Sequence, residues 1–479
     1  MRNTHFPIAE RLAPVSARFA LMAYFFLACL LLPSHAEGAA LSMPQDAASL
    51  QHNRDLKALL SWLDRQRGTV IAMQRDLVAL PALNPEHGGT GEEAKLRWVE
   101  GRLREYGITD FTRLDYTDPR VPGKIRGNLI AKFPSRRDDA APRRTLWLLT
   151  HLDVFPPGAA EEWKGDPFTL RVEGDLLYGR GVEDNHQGIV TSLLLAEALR
   201  ATGITPPLDI GLVFCSGALV NYDMNMGHVL DRRPDLFSPN DPILLLDYGS
   251  EDGAFIEVAE KQNIWFKFTA TGKEGHAGSP HEAVNAFAVG AAFIHALRGL
   301  DDVFPEQNPL FAPPASTFSP TFAENHSTAL NHIPGKFVFY VDARLIPEHS
   351  PEAVTTALRD LAETVGRERE ARIEFEAVEL TARASALPSD APVTRLLGRA
   401  IRAQLGVEPE LGGIGGVTMA SVVRERGFPV AVWGILKNWR NKTEEYASIA
   451  SHIDQAKVLA RLLLDPEAAG AENGAGDER

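Results

Sequence analysis

Three apolar runs that do not alternate constrain the fold most: TLWLLT at 145–150, LDIGLVF at 208–214 and ILLLD at 243–247. A strand with one wet face alternates polar and apolar side chains, so a continuous run points to a strand covered on both faces. Between the first two lies GIVTSLLLAEALRATG, residues 188–203, which has helical spacing and a glycine stop. NLIAKF at 128–133 reads as another strand, and helical spacing marks 56–80 and 92–107 after a polar stretch from Glu37 to about Gln51. Continuous strands alternating with helices predict an α/β fold, a mostly parallel mixed sheet sandwiched by helices.

From about Glu260 to Leu380 the pattern changes. NIWFKFTATG alternates like a half-exposed strand, EAVNAFAVGAAFIHALRGL is helical, and ASTFSPTF and KFVFYVDARLI are strand-like; PEAVTTALRDLAETVG is helical and ARIEFEAVEL alternates again. This βαββαβ order is the split ferredoxin-like arrangement, an α+β unit complete in itself. The α/β pattern resumes at VTRLLGRAIRAQLG and FPVAVWGI, so the unit reads as an insertion. The expected division is 50–258 and 381–466 for the two parts of the larger domain, 259–380 for the inserted domain and 467–479 for a small, polar tail. A chain of 479 residues is long enough for both cores.

Arg2, Arg11 and Arg18 precede the apolar run FALMAYFFLACLLLP, residues 19–33, followed by SHAEG. A basic region, a short apolar core and small residues are the three parts of a secretory signal, expected here over 1–36 with cleavage after Ala36. The run is shorter than the roughly 20 residues a membrane-spanning helix needs. Export to the periplasm or beyond is therefore expected, with no membrane attachment after cleavage. Removal of Cys29 would leave only Cys215, so the mature chain forms no internal disulfide. The net charge of −14, with no basic-aromatic stripe, argues against nucleic acid as a partner.

The strand ends carry the chemistry. THLDVFPPG places His151 and Asp153 two residues apart, on one side of a strand end. An imidazole can ligate a metal while a carboxylate fixes its orientation, but a histidine that only caps the strand fits HLD equally well. YGRGVEDNHQG sets Glu183, Asp184, Asn185 and His186 before a helix, where a lone acid is more often a cap.

Taken together, these pieces resemble the di-zinc metallopeptidase and amidohydrolase family of aminoacylase, acetylornithine deacetylase, succinyl-diaminopimelate desuccinylase and glutamate carboxypeptidase. The resemblance runs from about Leu59 to Leu463, through HLDVFP, GDLLYGRGVED, LLLDYG, TGKEGHAGSPHEAVNA, NHIPGKFVFYVDARLIP, GGVTMA and EEY. It implies a zinc-peptidase-like larger domain, with the insertion serving as a lid and homodimerisation domain. It also implies that His151, Asp184 and Asp247 hold one metal, with Asp153 orienting His151. A histidine and two carboxylates suit zinc, one per chain, although cobalt or manganese could take its place. His276 matches the histidine that reaches across the dimer to the oxyanion of the reaction. Asn331 and Arg344 match positions near a substrate carboxylate, with a turn residue and a surface ion pair as the respective alternatives.

The second metal of the family fares differently. The general base and a ligand form a Glu-Glu pair that falls here on Ala218 and Leu219, and no acid lies between Leu212 and Tyr222. The late histidine ligand falls on Asn441, and no histidine lies between His349 and His452. A positioned base typically contributes about 10²–10⁴-fold, so ordinary amide hydrolysis should be impaired or altered. A metal-binding relative with a degenerate site, binding a small peptide or N-acyl amino acid, is the favoured expectation. The alternative is an active metallohydrolase with a substitute base, for which Asp223 is the best of Glu183, Asp223 and Glu444. A purely structural dimeric scaffold comes last, because it would have no need of His151, Asp153, Asp184 and Asp247 together.

Overall fold

In the computed structural model, which describes residues 47–133, 143–219, 225–324, 327, 329–381 and 386–469, the three apolar runs lie side by side in one eight-stranded sheet. Its strands are β1 Phe111–Thr117, β2 Ile125–Phe133, β3 Thr145–His151, β4 Asp209–Cys215, β5 Ile243–Leu245, β6 Phe255–Glu260, β7 Glu410–Ile414 and β8 Val430–Val432. Their spatial order is β1-β2-β4-β3-β5-β8-β6-β7. The central neighbours β4-β3-β5-β8 run parallel, while β1 and β2 form an antiparallel flank.

Alternation along these strands divides two buried layers. Leu146, Leu148, Ile210, Leu212 and Phe214 join one core with the helices Ala47–Leu63, His186–Thr202, Pro392–Leu405 and Ile449–Leu464. Trp147, Leu149, Val213, Cys215, Ile243 and Leu245 face the other way, onto Met226–Arg232 and Met419–Glu425. With each fully buried aliphatic side chain worth about 1.5–3 kcal/mol, charge inside these strands would be costly, and the ionisable groups collect at their ends. Gly211 has a local reason as well: a Cβ there would lie 2.0 Å from the Trp147 ring.

The inserted elements form a four-stranded antiparallel sheet from Gln262–Thr271, Thr317–Glu324, Lys336–Leu345 and Arg372–Leu380. In space the second strand is followed by the third, first and fourth, the ferredoxin-like order. Helices Ala286–Ala296 and Pro351–Glu368 pack on it around Phe266, Phe268, Phe293 and Phe339. The fold class is as the sequence predicts, a mostly parallel α/β sheet between helices with a ferredoxin-like insertion.

Several elements differ from expectation. The helical stretch at 56–80 is two helices, Ala47–Leu63 and Arg67–Val78, and the first begins inside the polar stretch. Strand β1, FTRLDYT, carries no continuous apolar run, because it is an edge strand whose Arg113 pairs with Glu93 and Asp115. A small sheet of Arg171–Glu173, Leu176–Tyr178 and Tyr446–Ser448 was also unforeseen, and it ties GDLLYGRG to the distant EEY. The expected signal segment 1–36, Asp223 and the tail from 470 lie outside the described residues. Among the described residues no helix is long and apolar enough to cross a membrane.

Candidate metal centre

Parallel pairing places His151 opposite Cys215 and carries Asp247 two residues past the end of β5, so three strand ends open on one crevice. Crevices beyond the carboxyl ends of such strands are where α/β sheets bind ligands. Asp184 enters from the turn before helix His186–Thr202. The next residue, Asn185, locks that turn to the sheet: its Oδ1 accepts from the His151 amide at 3.2 Å and its Nδ2 donates to the Leu246 carbonyl at 2.5 Å.

His151, Asp184 and Asp247 each offer one ligand atom, all within 4.8 Å of one another, and they are the only such grouping of three among the described residues. His151 Nδ1 lies 3.1 Å from the Asp153 carbonyl and 3.2 Å from its carboxylate Oδ1, which assigns the ring proton to Nδ1 and leaves Nε2 as a ligand. Nε2 lies 2.9 Å from Asp184 Oδ1 and 3.9 Å from Asp247 Oδ1. Although Asp184 Oδ1 is that close, it has no aligned hydrogen-bond partner. Once His151 gives up its Nε2 proton, two buried lone-pair atoms face one another, which suits a cation between them, and one imidazole with two carboxylates suits zinc.

The protonation states follow from the contacts. Burial opposes charge on His151, but contacts with Asp153 and Asp184 outweigh it and hold the ring pKa well above its ordinary value. Burial would also raise Asp153, yet His151 and the Leu219 amide bring it down to about 2. Asp184 is likewise lowered by His151 against the effect of burial. Asp247 is raised to about 6 by burial, with repulsion from Asp184 adding to it.

The turn after β4 contributes main chain. Ala218 and Leu219, where the family pattern predicts two glutamates, donate their amides to the Asp153 carboxylate at 3.1 and 2.9 Å. Asn84 adds a third donor at 2.7 Å. Glu92 accepts from the Gly217 amide at 3.2 Å and pairs with Arg126 at 2.9 Å, so this turn is supported from beneath. Asn441, at the predicted site of the late histidine, is exposed at a left-handed φ of 62°.

Of the substitute-base candidates, the two among the described residues are committed elsewhere. Burial pushes Glu183 up to about 7, but its two oxygens accept from the Asn438 and Trp439 amides at 3.0 and 2.7 Å. Glu444 pairs with Arg171 at 2.6 Å and accepts from the Lys164 amide.

On the inserted domain, His276 and Asn331 come together, with Asn331 Nδ2 3.0 Å from His276 Nε2. Exposed His276 also accepts from the Gly278 amide through Nδ1. Arg344 forks onto Asp342 at 2.6 and 2.8 Å and donates to the Gly415 carbonyl, bridging the insertion to the GGVTMA loop.

Sequence reasoning missed Glu445, which accepts from the Gly181, Glu183 and Asp184 amides and from Arg180, so it holds the turn that presents Asp184. The EEY segment was a signal for it, although nothing local revealed its role. Lys95 was missed as well: burial depresses its amine to about 7, and it donates to the Leu152 carbonyl at 2.9 Å beneath the strand end.

Residues 147–217 match the model of peptidase family M20/M25/M40, and residues 258–370 match that of the peptidase dimerisation domain. The chain is 32% identical to an uncharacterized metallohydrolase of Methanococcus maripaludis, over 82% of this chain and 98% of that one. It is 27% identical to the succinyl-diaminopimelate desuccinylase of Dinoroseobacter shibae over the same shares. The crystal structure of aminopeptidase PepT from Bacillus cereus superposes with a TM-score of 0.67 at 18% identity, covering 84% of this chain and 99% of the other.

Proposed function

Because the chain belongs to the M20 peptidase family and carries that family's dimerisation domain, we propose that it is an exported one-metal member with impaired or altered amide hydrolysis. In this reading it binds a divalent ion, zinc first, and a carboxylate-bearing peptide or N-acyl amino acid. The observation that carries the reading is the split at the strand ends. His151, Asp184 and Asp247 converge, whereas positions 218 and 219 supply only amides and position 441 is an exposed asparagine.

A bound divalent ion would supply Lewis-acid polarisation of a ligand oxygen. The chain's own residues do the rest. Asp153 keeps the His151 proton on Nδ1, Glu445 holds the Asp184 turn, and burial keeps water from His151 and Asp184. A residue able to take a proton from water at this centre is missing where the family places it, which lowers the expected rate by about 10²–10⁴-fold.

Homodimerisation through the insertion is part of the reading. Phe287, Phe322 and Leu330 expose large apolar side chains there, more than a solvated surface needs. His276 then serves the partner's cleft, consistent with its position among inserted-domain residues. The N-terminal basic-apolar-small pattern supports export.

A second reading keeps full activity through a substitute base. The Glu183 carboxyl near 7 has the right proton affinity for such a base, although its oxygens hold the 438–439 loop; Asp223 is the other candidate.

Metal content per purified chain, measured with turnover of N-acyl amino acids and dipeptides, tests these readings. One metal and slow or no turnover, improved by Ala218→Glu, Leu219→Glu and Asn441→His together, is expected. Two tightly held zinc ions with rapid turnover would refute the one-metal reading. Rapid turnover with one ion, abolished by Glu183→Gln or Asp223→Asn, would establish the second reading instead.

A further inference from the structure

The loop 437–445, which holds the family's late-histidine position at Asn441, is heavily built in this chain. Asn438, Asn441 and Glu444 all adopt left-handed φ, at 58°, 62° and 56°. Non-glycine residues enter that region only when their surroundings hold them there. Here Glu183 grips the Asn438 and Trp439 amides, the Trp439 indole donates to the Thr443 carbonyl at 3.1 Å, and Arg180 donates to the Lys442 carbonyl at 3.2 Å.

This construction turns Asn441 outward and Arg440 inward. The Arg440 guanidinium carbon stands 4.1 Å from the centroid of the Tyr248 ring, and Tyr248 directly follows the ligand Asp247. Arg440 Nη1 is buried and has no hydrogen-bond partner among the described residues. A guanidinium nitrogen withdrawn from water without a partner is costly unless negative charge lies nearby. The anchors of the loop bring that charge close: Glu183, which holds the Asn438 and Trp439 amides, adjoins Asp184, and Tyr248, under the guanidinium, adjoins Asp247.

We propose that Arg440 is the second cation of this centre: its guanidinium takes over the charge-balancing role that a second metal has in two-metal relatives and so restricts the site to one divalent ion. The proposal rests on the one-metal reading above. It adds the reason for the stoichiometry, since a fixed positive group is already held against the segments that carry Asp184 and Asp247.

The test is the sign of an effect on zinc binding, measured by competition with a chromophoric chelator on the purified full-length protein. A like charge beside the ligands repels the ion. Removing it in Arg440→Ala should tighten binding on the order of tenfold, as should Arg440→Gln, while Arg440→Lys stays close to the parent. If Arg440 only packs the loop, its removal loosens the Asp184 turn and weakens or leaves unchanged the zinc affinity; either result for both neutral variants overturns the proposal. Thermal melts of all three variants accompany the titrations. The glutamine variant keeps most of the side-chain volume against Tyr248 should the alanine variant not fold. The two inferences fail separately: a parent chain binding two zinc ions tightly defeats the one-metal reading, whereas one ion in the parent with no tightening in Arg440→Ala and Arg440→Gln defeats only the role of Arg440.

Discussion

Strands β3 and β4 end side by side, His151 opposite Cys215, yet the first end supplies side chains and the second supplies main chain. After β3, an imidazole and a carboxylate are oriented toward a common centre. After β4, the turn Ser216–Leu219 presents amides, and two of them point at the carboxylate that orients the imidazole. A strand end without catalytic side chains is therefore still part of the candidate metal centre. Main-chain donors are indifferent to side-chain identity, so alanine and leucine at 218 and 219 leave the His151 half intact.

The strongest way to break this contrast is to remove a candidate ligand, His151 at the end of β3 or Asp184 from the turn beside it. His151→Ala and Asp184→Asn should each lower zinc affinity by more than the roughly 10–100-fold that orienting partners carry, to the point where calorimetry detects no binding. Retained tight binding in either variant would place the ion elsewhere.

Next in size is the frame beneath Asp184. Arg180 and Glu445 form a buried ion pair at 2.6 Å, with side-chain exposures of 1% and 0%, and Glu445 also accepts three amides. Glu445→Ala leaves Arg180 charged and unpaired in the interior, a change that costs about 3–5 kcal/mol. Chemical denaturation should show that loss even without metal. A loss below about 1 kcal/mol would mean that the pair behaves like an exposed one.

Asp153 connects the two strand ends, and its removal sharpens the comparison. Asp153→Asn should reduce zinc affinity by about 10–100-fold while keeping the stoichiometry, because an orienting partner is lost and no ligand is. Full loss of binding would make Asp153 itself a ligand.

How much of this was readable in the sequence depended on whether the cause was local. The continuous runs of β3, β4 and β5 announced a doubly covered sheet because both faces of each strand are apolar, whereas HLD and LLLD at two strand ends and VED before a helix pointed to a metal only when taken together as the family pattern. Strand β1 was hidden because its few apolar residues, Phe111, Leu114 and Tyr116, are interspersed with polar ones and Arg113 pairs with Glu93 and Asp115. Glu445, Arg180 and Arg440 were hidden for another reason. They reach the site only because Tyr446–Ser448 pairs with Leu176–Tyr178, a contact across more than half the chain that leaves no periodic trace. Arg344 was readable through its family position, with a surface ion pair as the alternative, but that Asp342 is its partner and that it bonds Gly415 were not.

A smaller effect, with its sign fixed by the same geometry, concerns pH. Zinc needs the Nε2 lone pair, and in the metal-free protein the Asp153 and Asp184 carboxylates hold the His151 pKa well above 6.5, against the effect of burial. Proton and ion therefore compete across the neutral range. Below the His151 pKa each unit rise in pH should strengthen zinc binding by up to about tenfold, with about one proton released per ion, and the rise should level off above it. Asp153→Asn weakens the support for the imidazolium, so its plateau should begin at lower pH although its maximal affinity is lower. Calorimetry in buffers of different ionisation enthalpy reads the released proton directly. If affinity does not change between pH 6 and 8 in the parent, His151 is neutral without metal, and the pull of the two carboxylates on its ring is weaker than their distances of 3.2 and 2.9 Å imply.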